Sequence, residues 1–146
     1  MEQLQYQEGR TEIGQMGKVA LIERLTDGFD SVNASTVCAM GDDAAVTGDN
    51  MLVTTQTMAE GIHFDMMYTP LKHLGYKAVA IAVSNIAAMN GTPRQVLVSV
   101  AVSNRYSVEA LEELYAGVRL CCQRYAGGTL VEPVFGGQDQ IGNTVL

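Results

Sequence analysis

Residues 78–89 read AVAIAVSNIAAM, and only Ser84 and Asn85 in that run are polar. A helix that is apolar on nearly every side is buried on nearly every side, so this stretch predicts a core helix on which other elements pack. Thr69 reads as its cap and Pro70 as its first helical residue. Asn90-Gly91, ahead of Pro93, ends it. Residues 78–83 form the most apolar run in the chain and are far too few to cross a bilayer.

Downstream, residues 97–103 predict a strand with Val98, Val100 and Val102 on one face. Ser107 then caps a second helix with an apolar stripe of Val108, Leu111, Leu114, Tyr115, Val118, Cys122 and Tyr125. Glu109, Glu112 and Glu113 lie near its start, with Arg119 and Arg124 near its end, as the helix dipole favours. Gly127-Gly128 breaks it, and residues 129–135 predict a last strand that Pro133 makes an edge or irregular one. Upstream, apolar residues at every third position from Ile13 to Leu25 predict a short helix ending near Asp27-Gly28. Residues 37–40 predict a strand and Gly41-Asp42-Asp43 a turn. Residues 51–57 predict a clearer strand, with Leu52, Thr54 and Gln56 on one face.

This order predicts an α/β (α+β) domain: one mixed sheet with helices packed on one face. Residues 1–10 read as a loose tail and 11–146 as a single domain. The chain closes on Gly142-Asn143-Thr144-Val145-Leu146 with no evident terminal element, the pattern expected of a truncated chain.

A length of 146 residues suffices for a real core. With 47% hydrophobic and 17% charged residues, the composition is neither disordered nor membrane-like. A net charge of −7 argues against nucleic acid or an anionic membrane as the main partner. A phosphate ligand stays open, because metal ions and backbone amides can hold one on an acidic protein. Cys38, Cys121 and Cys122 are odd in number and contain no CxxC pair, so neither a disulfide framework nor a zinc site is indicated. The start MEQLQYQEGR is polar and has no apolar core, so no signal peptide is expected. A reducing, cytoplasmic setting is the expectation.

Four stretches could carry chemistry. Asp42 and Asp43 could present hard oxygens to Mg²⁺, or form a solvated turn. His63, in Gly61-Ile62-His63-Phe64, could contact a substrate or simply pack; His73, beside Lys72, reads as a surface residue. Asn85 needs partners inside an apolar helix, either a nearby backbone group or a polar site shared with other strands. Gly136-Gly137-Gln138-Asp139 allows close backbone approach to a ligand, or a plain turn. Neither GxxxxGK[ST] nor GxGxxG occurs.

Taken in order, Gly41-Asp42-Asp43-Ala44-Ala45-Val46, the run from Thr54 through Gln56 and Glu60-Gly61-Ile62-His63-Phe64, Lys77-Ala78 through Ser84-Asn85-Ile86-Ala87-Ala88-Met89, Pro93, Ser99 and Gly136-Gly137 resemble the N-terminal domain of the thiamine-monophosphate kinases. That family is similar in fold to aminoimidazole ribonucleotide synthetase, selenophosphate synthetase and a hydrogenase maturation protein. The resemblance spans about residues 10–137. It implies a sheet that pairs with a second copy into a barrel across a homodimer, with Mg²⁺ and ATP along the sheet. It also implies γ-phosphoryl transfer to thiamine monophosphate, and a second domain that completes the nucleotide pocket. By the same resemblance His63 and Asp65 would bind substrate, Thr57, Gly136 and Gly137 nucleotide, and Asp42 and Asp43 metal.

In that family pattern an aspartate stands where Gln56, Asn85 and Gln138 stand here. Asp139 lies one residue on, and so faces the other side of a strand. Two unit charges 4 Å apart interact by about 4 kcal/mol at an effective dielectric near 20. Three neutral amides in place of three carboxylates therefore read as coordinated neutralisation of a metal cluster. The expectation is a kinase by ancestry and, for this chain alone, a non-catalytic, self-associating domain with Mg²⁺ and ATP binding weakened or lost.

Overall fold

The computed structural model describes residues 11–29, 34–38, 41–103, 105–125 and the backbone of 130–135. The expected tail at 1–10, the break at Gly127-Gly128, the chain end and the stretch Gly136-Gly137-Gln138-Asp139 lie outside the described residues. Two compact units are distinguished, Met1–Val32 and Asn33–Leu146.

In the first unit the single expected helix is two: α1 (Ile13–Met16) and α2 (Lys18–Thr26). Gly17 separates them with φ of 72°, a left-handed value that a continuous right-handed helix cannot contain. The Thr26 hydroxyl donates back to the carbonyl of Ile22 (2.8 Å) at the helix end. Ile13, Val19, Ile22 and Leu25 of the three-residue repeat are exposed.

The second unit opens with β1 (Thr36–Cys38), β2 (Ala45–Thr47) and β3 (Leu52–Val53), paired antiparallel in that order. Then come α3 (Leu71–Ala88), β4 (Val96–Val100), α4 (Val108–Tyr125) and β5 (Leu130–Phe135). β5 runs parallel to β4, the pairing that a helical crossover such as α4 permits. Among the described residues the expected single sheet is two small ones. The expected strand at 51–57 keeps its ladder only through Val53. Likewise the expected strand 97–103 forms at 96–100. The irregularity expected at Pro133 is present: between the pairs Leu97–Val131 and Ser99–Val134 the register slips by one residue.

α3 begins one residue later than expected. Pro70 occupies the cap position with extended backbone (ψ 138°), and no side chain caps it, so Thr69 does not serve. At the other end Asn90 adopts φ of 57°, the left-handed turn that Asn tolerates well. Ser107 does cap α4: its Oγ accepts from the amide of Ala110 (3.2 Å). The backbone amide of Glu109 itself, and then the Ser107 hydroxyl, hydrogen-bond to the Glu109 carboxyl and hold it below the ordinary glutamate range.

The core gathers Val79 of α3, Val96 of β4, and Val118, Cys121 and Cys122 of α4. α3 and α4 meet at two reciprocal glycines. A methyl on Gly75 would strike the carbonyl oxygen of Leu114, and one on Gly117 would strike that of Lys72. Burial of α3 is narrower than its sequence implies. Val79 and Ala82 are buried, while Ile81, Val83 and Ile86 are only half-buried, because α4 seals one flank and the two sheets do not join over the rest.

Candidate functional site

Three separate segments are tied together by two side-chain bonds. The Asn85 Nδ2 group on α3 donates to the Thr54 hydroxyl (3.0 Å). That hydroxyl donates in turn to the backbone carbonyl of Asp43 (3.1 Å). Asn85 thus takes the polar-site alternative, with Thr54, just past β3, and through it the Asp-Asp turn as its connections. Asp42 uses its carboxylate on its own turn, accepting from the Asp43 amide (2.9 Å). Both aspartates are exposed. Gly41, with φ of 101°, supplies the backbone freedom that starts the turn.

Mg²⁺ wants near-octahedral oxygen ligands, with carboxylates among them. Here the amide at Asn85 turns a hydrogen-bearing nitrogen toward Thr54, and Asp42 is already an acceptor for its own backbone. Among the described residues no three His, Cys, Asp or Glu side chains converge.

The second group is the turn after Thr57. Gly61 sits at φ of 77°, and its amide donates to the Phe64 carbonyl (2.8 Å). The Ala59 amide donates to His63 Nδ1 (3.0 Å), so the neutral ring carries its proton on Nε2. Asp65 folds its carboxylate onto the Met67 amide (2.8 Å), an Asx turn. From α3, Lys77 Nζ reaches the His63 carbonyl (2.8 Å). His63 and Asp65 share this one turn, and both are exposed.

Gln56 and Thr57 line a mainly apolar cavity of 540 Å³ between the 56–60 segment, β4 and the α3–α4 pair. Asp42 and Asp43 do not line it. Gly136, Gly137, Gln138 and Asp139 fall outside the described residues. Thr54 and Lys77 make connections within the candidate site that the sequence did not single out. The one available signal for Thr54 was its place on the same strand face as Gln56.

Burial pushes the thiols of Cys121 and Cys122 above the ordinary range, which makes them poor nucleophiles. No helix among the described residues is long and apolar enough to cross a membrane.

An α/β domain with an Asp-Asp turn and a Gly-Ile-His-Phe turn, both joined to α3, defines a class, and the family comparison agrees with it. Residues 41–141 match the family model "AIR synthase related protein, N-terminal domain", and the chain belongs to that family. Within it, the chain is similar to thiamine-monophosphate kinases. The one from Bacillus subtilis (strain 168) is 35% identical over 97 residues, 64% of this chain and 30% of that protein. The one from Synechococcus elongatus is 28% identical over 119 residues, 79% and 34% respectively. The crystal structure of thiamine monophosphate kinase from Aquifex aeolicus superposes with a TM-score of 0.70 at 24% identity, covering 86% of this chain and 39% of that one. A structure of AaThiL complexed with AMPPCP and TMP gives 0.68 at 22% identity, covering 90% and 41%. The chain spans about a third of the length of the curated relatives it matches.

Proposed function

We propose that this chain is a thiamine-monophosphate-kinase-type N-terminal domain that keeps the scaffold and the substrate-side turn but works as a non-catalytic, self-associating module. The observation that carries this reading is the Asn85–Thr54 bond. A carboxylate cannot donate to a hydroxyl, so the amide performs a structural task closed to the ionised aspartate of the family pattern. Gln56 and Gln138 remove two more charges from the same set. Without bound cations, clustered acids repel one another, and neutral residues relieve that repulsion.

His63 and Asp65 remain as the substrate-side pair for a phosphate monoester, in line with the TMP present in the AaThiL complex. Thr57, with Gly136 and Gly137, would meet a nucleotide, in line with the AMPPCP present in the AaThiL complex. Asp42 and Asp43 are the carboxylates left for Mg²⁺. Self-association would run through the sheet edges, because an unpaired edge invites a second copy. A cytoplasmic setting suits a domain whose buried thiols stay reduced.

The test is turnover of Mg²⁺-ATP and thiamine monophosphate by the purified chain, read beside melting temperature with and without Mg²⁺-ADP. No turnover and no upward shift is the expected result, since a ligand raises stability only where it binds the native state. Ordinary kinase turnover would refute the non-catalytic reading. A second reading, the front part of a working kinase, is favoured by the 35% identity to a full kinase. It predicts a clear melting shift with nucleotide.

A further inference from the structure

Lys77 belongs to the motif string of the chain and reaches the His63 turn from α3. Its ammonium donates to the His63 carbonyl across 14 positions of sequence at 2.8 Å. Charge-assisted bonds of this length are about twice as strong as neutral ones. Inside the same turn, the Ala59 amide donates to His63 Nδ1, while the His63 amide donates back to the Ala59 carbonyl (2.9 Å). The residue is therefore gripped at its amide, its carbonyl and one ring nitrogen. Nε2–H is the ring donor left for a ligand. The other bonds of the turn are local to it, and Lys77 ties it to α3.

We infer that Lys77 is a positioning residue, which through the His63 carbonyl holds the imidazole in its Nε2–H form and aims that donor at the oxyanion of a phosphate monoester. The ligand in this statement rests on the substrate-side reading proposed above; the control of the ring by Lys77 does not. A lysine replaced by an apolar side chain of similar length frees the carbonyl. The turn then loosens, the Ala59–Nδ1 bond opens more often, and both ring tautomers become populated.

The experiment is nitrogen NMR of the imidazoles in the ¹⁵N-histidine-labelled full chain, with His73→Gln used to assign the two rings. Wild type is expected to show His63 as the Nε2–H tautomer, with the Ala59 amide protected from hydrogen exchange. Lys77→Met is expected to show mixed tautomers and exchange at Ala59 roughly tenfold faster, a loss of about 1.4 kcal/mol of local protection. Lys77→Arg, which keeps the cation, is expected to restore both. Lys77→Gln replaces the methionine variant if that one does not fold. Should the uncharged variants keep a single Nε2–H tautomer and full Ala59 protection, the inference is overturned. Titration of the wild type with thiamine monophosphate, and with inorganic phosphate, tests the other half. A shift of His63 Nε2 with the ester, weakened in Lys77→Met and regained in Lys77→Arg, supports the donor role. A wild-type ring that is locked by Lys77 yet silent to both ligands refutes that role and the substrate-side reading, while the control by Lys77 stands.

Discussion

The Asn85 side chain gives a hydrogen to the Thr54 hydroxyl, 31 positions away in sequence, at 3.0 Å. Because the hydroxyl spends its own hydrogen on the Asp43 carbonyl, the direction of the whole relay is fixed by the amide. Asn85→Asp reverses the first link, and Thr54 can then no longer serve both neighbours. The metal-free protein is expected to lose about 1 kcal/mol, the low end of the cost of stranding a polar group, because the relay is only partly buried. The triple variant with Gln56, Asn85 and Gln138 all changed to Asp is expected to lose more. Melting temperatures in chelator check both, and unchanged values would count against the structural role of the amides.

Thr54→Val removes the hub while keeping the shape. Both the Asn85 Nδ2 group and the Asp43 carbonyl lose a partner, so the expected cost is about 1–2 kcal/mol. Urea denaturation measures it. A double variant with Asn85→Ala should cost less than the sum of the single changes, because the two residues share one relay.

Gly117→Ala tests the helix contact. Alanine in a helix interior gains about 0.5–1 kcal/mol over glycine, whereas overpacking costs typically about 1–3 kcal/mol. The added methyl meets the Lys72 carbonyl, which is backbone and cannot swing aside. The clash wins, and a net loss of stability is expected; a gain would mean that α3 and α4 can separate freely.

Two pH effects follow from the shifted groups. Glu109 has a lowered pKa in the folded chain through backbone and Ser107 hydrogen bonds. Its stabilising contribution is present at neutral pH, above the unfolded value, and fades as pH falls through the folded one. Glu109→Gln should therefore lower stability at neutral pH and make little difference in strong acid. Ser107→Ala should cost about 0.5–2 kcal/mol and diminish that pH dependence. Chemical denaturation across the acid range reads both.

Cys121 and Cys122 shift the other way, since burial favours the neutral thiol. Their contribution is full below the unfolded thiol pKa and lost as pH rises through the folded one. In the native chain, iodoacetamide at mildly alkaline pH is expected to label half-buried Cys38 well before this pair, and denaturant is expected to erase the difference. Peptide mass spectrometry gives the order directly.

α3 and α4 were legible in the sequence because long periodic segments with turn residues at their ends leave few alternatives. The Ser107 cap and the Pro133 irregularity were legible for the same local reason. β2 was not: three residues carry too little pattern, and its ladder is defined by neighbours on either side. Gly17 was read through because a three-residue repeat looks the same with or without a left-handed glycine within it. Cys121, 0% exposed, was missed from the apolar stripe although it lies one turn from Val118. The relay through Thr54 and the tether from Lys77 join residues 31 and 14 positions apart, and no local rule contains such pairs. The family resemblance located the Asp-Asp and Gly-Ile-His-Phe turns, while their wiring came only with the coordinates.

Lys77 and Asn85 stand on one helix, about 12 Å apart along its axis, and the same helix rests on α4 through bare backbone at Gly75 and Gly117. That arrangement makes α3 a rigid crossbar with a fixed seat. Tilting or lifting it at the seat would displace the imidazole turn and the aspartate turn together, in proportion to their distance from the pivot. The alignment of the two turns is thus set at the contact with α4, by the absence of two methyl groups.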